Sequence, residues 1–229
     1  MTTLREIVDT WSGCHVCDLA STRQHVVVGS PWRDDPTEVD PLILIVGEAP
    51  GRNEDRTGQA FVGQAGQILK ADVLKPAGVR LAWITNALAC WPGEGNPDPT
   101  PDQIQACAPR LDALVETLQP DGLLTVGRIS TGVRSYQWRR YFDERPSTSI
   151  IHPAALLRQG HPNATTVKTL RAQVQKVKNL LKKLGVTPKD ETIIENCDHE
   201  FVVAGHWVLP DGNIKPFRAC GLCGLLGDS

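Results

Sequence analysis

Seven cysteines divide into two sets along a chain of 229 residues: Cys14, Cys17, Cys90 and Cys107, then Cys197, Cys220 and Cys223. Cys14-x2-Cys17 sets two thiols on one tight turn. Cys90 and Cys107 are separated by 16 residues, one just after an apolar run and the other inside a helical pattern. Thiolates from three separate places suit a tetrahedral zinc ion or a [4Fe–4S] cluster, and spacing alone does not choose between them. The plainer alternative makes Cys90 and Cys107 small buried apolar side chains, and the Cys-x2-Cys pair weighs against it.

A second candidate for chemistry is "GEAPGRNEDRTGQAFVGQAG", residues 47–66, which follows the apolar run "PLILIVG". Glycine-rich loops after a strand usually cradle phosphates with backbone N–H groups. Here Glu48, Glu54 and Asp55 would repel a phosphate, and no Lys-Ser or Lys-Thr follows the last glycine. What the loop holds instead is not given by its own residues.

The elements that must position these groups are legible from periodicity. Short apolar runs at residues 42–46, 81–85, 122–126 and 148–151 read as buried strands. Helical patterns lie between them. "GQAGQILKADVLKPAG" fits a helix that stops near Pro76, and "TPDQIQACAPRLDALVETLQP" opens on a Thr100 N-cap with Asp102 in its first turn. "ATTVKTLRAQVQKVKNLLKKLG" places Val167, Leu170, Val174, Val177, Leu181 and Leu184 on one stripe before Gly185. The alternation predicts an α/β fold of three layers, a four-stranded parallel sheet between helices. Ligands of such sheets sit beyond the carboxyl ends of the strands. The glycine-rich loop, "TNALAC", "VGRIS" and "IIHPAALLR" all follow strands, so they gather on one rim.

Composition sets outer bounds. The chain is 41% hydrophobic and 22% charged, with a formal charge of −2, an ordinary globular balance without a basic footprint for nucleic acid. DNA contact would need a local patch. Lys168, Arg171, Lys176, Lys178, Lys182 and Lys183 on the last helix supply one, with a solvated face as the plain reading. No apolar run approaches the roughly 20 residues of a membrane span, and "MTTLREIVDT" lacks a signal peptide's apolar core. A cytoplasmic protein without a membrane partner is expected.

In order along residues 14–184, the cysteines Cys14 and Cys17, "GEAPGRNEDRTGQAFVGQAG", "ITNALAC", the cysteine of "QIQAC" and "HPAALLR" resemble the motifs of family-4 uracil-DNA glycosylases. The resemblance implies a glycosylase-like domain over residues 1–185 with a [4Fe–4S] cluster on Cys14, Cys17, Cys90 and Cys107. It implies an enzyme that flips uracil out of single- or double-stranded DNA and hydrolyses its N-glycosidic bond, leaving an abasic site for base excision repair. The glycine-rich loop would then hold a base. Ala49 and Gly51 would line the pocket, Phe61 would stack on the base, and Asn86 would present its amide to O4 and N3. Glu54 would wall off the 5-position against thymine's methyl. His152 would donate to O2 as negative charge develops, and Glu48 would stabilise the sugar cation and help place the water. Leu156, Leu157 and Arg158 would form a wedge that fills the gap in the duplex.

Each assignment has a duller competitor: Phe61 as core, Asn86 as a turn former, His152 as a turn residue before proline, Glu48 as a helix cap. Convergence of all four on one rim favours the functional reading. Departures from the family pattern bear on substrate range more than chemistry. Better-known uracil glycosylases place an Asp at the position of Ala49, although family 4 does not. Ala60 replaces the usual proline, "WPGEGNPDPTPD" lacks the family's Arg and Asn-Arg pair, and "SPWRDDPTEVDP" is a long insert. The branch that attaches covalently to DNA carries a His just after Cys90, and this chain has none there. Two alternatives stand beside uracil excision: a glycosylase for another modified pyrimidine, and a non-catalytic DNA- or partner-binding module on the same fold. A monomer is expected.

After Gly185 the style changes. Residues 186–196 read as a linker, and 197–229 as a small zinc-ribbon-like module. Cys197-x-His199 is followed after 20 residues by Cys220-x2-Cys223, and "CGLCG" resembles a zinc knuckle. Cys197, His199, Cys220 and Cys223 make a common closed structural zinc set, with a hairpin between the two pairs. His206 is the rival fourth ligand, and a tail without metal is the plain alternative.

Overall fold

Leu42–Gly47 sends successive side chains to opposite faces, as a strand must, and both faces are buried. Ile43 and Ile45 enter one core, Leu44 and Val46 the other. The computed structural model describes residues 3–128 and 143–186, with the backbone of three strands beyond 200. Its main sheet runs β1 (Ser30–Arg33), β3 (Leu81–Asn86), β2 (Leu42–Gly47), β4 (Gly122–Val126), β5 (Ser147–Ile150) from edge to edge.

Strands β2 to β5 are parallel, and each lies within one residue of its expected span. The sheet is nevertheless mixed. β1 pairs antiparallel with β3, so the expected four-stranded parallel sheet is corrected to five strands. β1 opens the stretch "SPWRDDPTEVDP", whose prolines and charges mask it. Pro31 is tolerable there because an edge strand has one side free of ladder bonds.

Helices α1 (Leu4–Ser12) and α5 (Pro101–Leu118) cover one face of the sheet, with Ile7, Leu111, Leu114 and Val115 in its core. Thr100 and Gln103 close a capping box at the start of α5, as its sequence suggests. The other face is covered by α7 (Ala164–Lys183) and by a run of α3 (Gln64–Ile68), a π-helical stretch Leu69–Leu74, and α4 (Lys75–Ala77). That run passes Pro76 and stops at Gly78, whose φ is +85°. A helical proline lacks the donor for the usual i→i−4 bond, and the wider π turn precedes it. α2 (Arg52–Thr57) and α6 (Pro153–Arg158) are short helices in the loops after β2 and β5.

Beyond residue 200, β6 (Phe201–Val208), β7 (Ile214–Cys220) and β8 (Leu226–Gly227) form a separate antiparallel sheet. The zinc assignment to Cys197, His199, Cys220 and Cys223 depends on side chains outside the described residues, as does the boundary of the linker.

Candidate active site

Parallel register brings the strand ends to one edge, where Gly47 pairs with Asn86 and the ladder continues from Ala87 N–H to the Gly47 carbonyl at 2.9 Å. A cleft opens over that edge, lined among others by Glu48, Ala49, Gly51, Glu54, Phe61, Asn86, His152, Leu157 and Arg158. A Cβ on Gly47 would lie 2.4 Å from both Asn86 Oδ1 and Phe61 Cζ. Only glycine lets the ring and the amide converge. Phe61 itself has φ +54°, a left-handed conformation that costs a bulky residue about 1–2 kcal/mol.

Glu54 holds that conformation in place. Its Oε1 accepts from the N–H groups of Val62 at 2.8 Å and Gly63 at 2.7 Å, and its Oε2 from Gly51 at 3.0 Å. Asp55, fully buried, accepts from the N–H groups of Gln24 at 2.9 Å and His25 at 3.3 Å. Two of the loop's acids, Glu54 and Asp55, are therefore turned inward onto backbone donors, the reverse of a phosphate cradle.

Asn86 is buried, and its Oδ1 has no hydrogen-bond partner among the described residues. A buried acceptor left unpaired costs on the order of 1–3 kcal/mol unless a ligand supplies a donor. His152 caps α6: its Nδ1 accepts from Ala154 N–H at 3.2 Å, which places the ring proton on Nε2. Burial, and secondly the charge of Arg158, holds its pKa below the usual imidazole value. The Phe61 and His152 ring centroids are 6.1 Å apart. Glu48 is half-buried. Burial and Asp98 raise its pKa, and Arg128 and Arg158 oppose them.

Leu157 and Arg158 border the cleft, whereas Leu156 is 1% exposed and packs in the core. Of the three residues expected to form a wedge, Leu157 and Arg158 lie at the cleft, and Leu156 faces the core.

Across the sheet's end, Cys14, Cys17, Cys90 and Cys107 line a single small apolar pocket with Trp11, Val26 and Ala89. All four are free thiols. They come from the turn after α1, the start of a short 3-10 helix at Asp18–Ser21, the exit of β3 and the middle of α5. Burial, then the neighbouring Cys107, pushes the Cys90 thiol up to about 12. Four soft donors around one pocket fit a thiolate-bound cluster. Among the described residues no three Cys, His, Asp or Glu side chains are arranged to hold a single metal ion.

The model of the uracil DNA glycosylase superfamily matches residues 36–184. A type-4 uracil-DNA glycosylase of Sulfurisphaera tokodaii is 32% identical over 212 residues, covering 84% of this chain and 90% of the relative. Those of Thermotoga maritima (31% identical; 75% of this chain, 91% of the relative) and Pyrobaculum aerophilum (35%; 68% and 85%) are similar to it as well. The chain belongs to the uracil DNA glycosylase superfamily.

Within this superfamily member, the sequence reading missed three contributors. Gly47 stands in the sequence as one member of a glycine-rich run, but its small size decides the cleft. Arg128 stands in the quoted "VGRIS" and lines the cleft, 3.7 Å from Asp98. Arg110 is fully buried, three residues from Cys107 on α5. Its signal was an arginine in the stripe of Cys107, Leu111 and Leu114.

Proposed function

We propose that this chain is a uracil-DNA glycosylase of base excision repair, which binds a flipped-out uracil in the rim cleft and hydrolyses its bond to deoxyribose. The observation that carries the reading is the buried, unpartnered Oδ1 of Asn86 beside Phe61 at the cleft edge. Uracil N3–H supplies the missing donor, and the Asn86 amide N–H donates to O4. Cytosine presents an acceptor at N3 and a donor at the 4-position, so both contacts turn repulsive. Phe61 stacks on the ring, and Ala49 and Gly51 offer backbone around it.

During the reaction the C1′–N1 electron pair leaves with the base. Negative charge grows on O2, where the Nε2–H of a neutral His152 donates. Water adds at C1′, and its proton neutralises the departing uracil. Glu48 stands by as the carboxylate that stabilises the cationic sugar, with Arg128 and Arg158 favouring its ionised form against burial. Glu54 shapes the loop around the base's 5-position through its three N–H contacts. Leu157 and Arg158 fill the gap in the stack. Alkali cleavage of a uracil-containing oligonucleotide after incubation with the protein tests the reading, and an uncleaved strand would refute it.

Cys14, Cys17, Cys90 and Cys107 would hold a [4Fe–4S] cluster, a crosslink that ties the N-terminal turn to β3 and α5. The spacing of Cys197, His199, Cys220 and Cys223 supports a structural zinc in the tail. One chain supplies every side chain named at the rim, which supports action as a monomer. Among the described residues no helix is long and apolar enough to cross a membrane, and the cytoplasm is the compartment proposed.

A further inference from the structure

Arg110 is among the largest fully buried side chains of the molecule. Sealing a guanidinium from water costs several kcal/mol unless dipoles and a counter-charge replace the solvent. The dipoles are present. Nη1 donates to the Val28 carbonyl at 3.1 Å and to Thr85 Oγ1 at 3.0 Å, and Nη2 donates to the carbonyls of Asn86 and, at 3.3 Å, Ala87. The Nε–H has no hydrogen-bond partner among the described residues. A counter-charge would come from the other side, once the cysteines there held the proposed cluster as thiolates. Cys107 lies one helical turn away on the same face of α5, and burial of the arginine is opposed first by Cys107, then by Cys90 and Cys14. Among the described residues no carboxylate is paired with it.

The guanidinium therefore stands between two regions. On one side are thiolates that would bear a net negative cluster, and on the other the carbonyls at the end of β3. One of those carbonyls belongs to Asn86, the residue whose side chain faces the base.

Resting on the reading of Asn86 and the cysteines given above, we infer that Arg110 is a positioning residue that couples the cluster pocket to base recognition. Its charge is balanced by the thiolate set, and its planar fork fixes the backbone from which the Asn86 amide projects. A cation sealed beside the cluster also favours the reduced, more negative form, so Arg110 raises the cluster's midpoint potential.

Two variants of the full chain separate these roles. Arg110→Lys keeps the charge and loses the fork; Arg110→Met keeps bulk and loses the charge. Each is measured for iron content, for midpoint potential by protein-film voltammetry, and for free-uracil affinity by calorimetry. The Lys variant should hold its iron at an unchanged potential and bind uracil about tenfold more weakly, the scale of one lost charge-assisted contact. The Met variant should move the potential to more negative values and weaken uracil binding as well. Unchanged uracil affinity in Arg110→Lys, or an unchanged potential in Arg110→Met, would overturn the inference. If Arg110→Met takes up no iron, the Lys variant decides alone. Insolubility of both would make Arg110 a residue of fold stability and equally end the positioning role. A wild-type protein lacking iron or uracil binding would defeat the functional reading beneath, whereas a competent wild type with indifferent variants would defeat only this step.

Discussion

The base cleft and the cysteine pocket both begin at the end of β3, at Asn86 and Cys90, yet they are built differently. The cleft mixes apolar and polar lining, is assembled from four strand ends of one sheet, and is held open by hydrogen bonds already in place. Glu54 fixes the strained turn at Phe61, and Ala154 N–H fixes the His152 ring. The cysteine pocket is apolar and small, assembled from an N-terminal turn, a strand exit and a helix, and burial strongly disfavours the Cys90 thiolate. One site is preorganised by the protein, and the other would be completed by the proposed cluster. Assembly of a thiolate-bound cluster must expel protons and supply the positive charge that burial denies.

The largest expected effect breaks the ligand-completed side. Cys90→Ala should abolish iron binding and lower the melting temperature, seen by iron analysis and circular dichroism, and full iron retention would remove Cys90 from the ligand set. Next in size, His152→Ala should leave iron intact and slow single-turnover uracil release by about 10²-fold or more, the scale of one preorganised donor to a developing anion. Asn86→Asp should shift preference toward cytosine in the same assay, since an acceptor then faces the 4-position. Gly47→Ala sharpens the contrast further. Its methyl collides with Phe61 and Asn86, so uracil binding should vanish at a stability cost of about 1–3 kcal/mol while the iron stays.

The smallest effect lies outside both sites and is a control on stability. Burial raises the pKa of Asp72 to about 7, and its Oδ2 lacks a hydrogen-bond partner 3.9 Å from His161 Nε2. A group with a raised folded pKa gives its stability below the unfolded value and loses it as pH rises through the folded one. Between about pH 4 and 7 the wild type should therefore lose stability that Asp72→Asn retains. The variant should be the more stable protein at pH 8 and gain nothing at pH 4, with iron content and uracil release unchanged. A gain independent of pH would assign the effect to packing.

Sequence alone determined the elements and the chemistry-bearing types. Short continuous apolar runs located the four parallel strands and period-3.6 patterns located α5 and α7, because burial is written in local order. The rule that parallel strands end on one rim then brought Glu48, Phe61, Asn86 and His152 together before any coordinates. Local order could not reveal what depends on partners distant in the chain. β1 is a strand only because β3 offers it an edge, and the prolines and charges around it argue otherwise. Leu156 faces the core instead of the duplex because the angular setting of α6 decides which side of a short helix is covered. Glu54 closes its loop because the chain turns Val62 and Gly63 back onto it. The surroundings of Arg110 were hidden for the same reason. A charge buried among carbonyls from two other segments is tolerable only after the sheet, α5 and the cysteine pocket have closed around it, and that closure belongs to the tertiary structure alone.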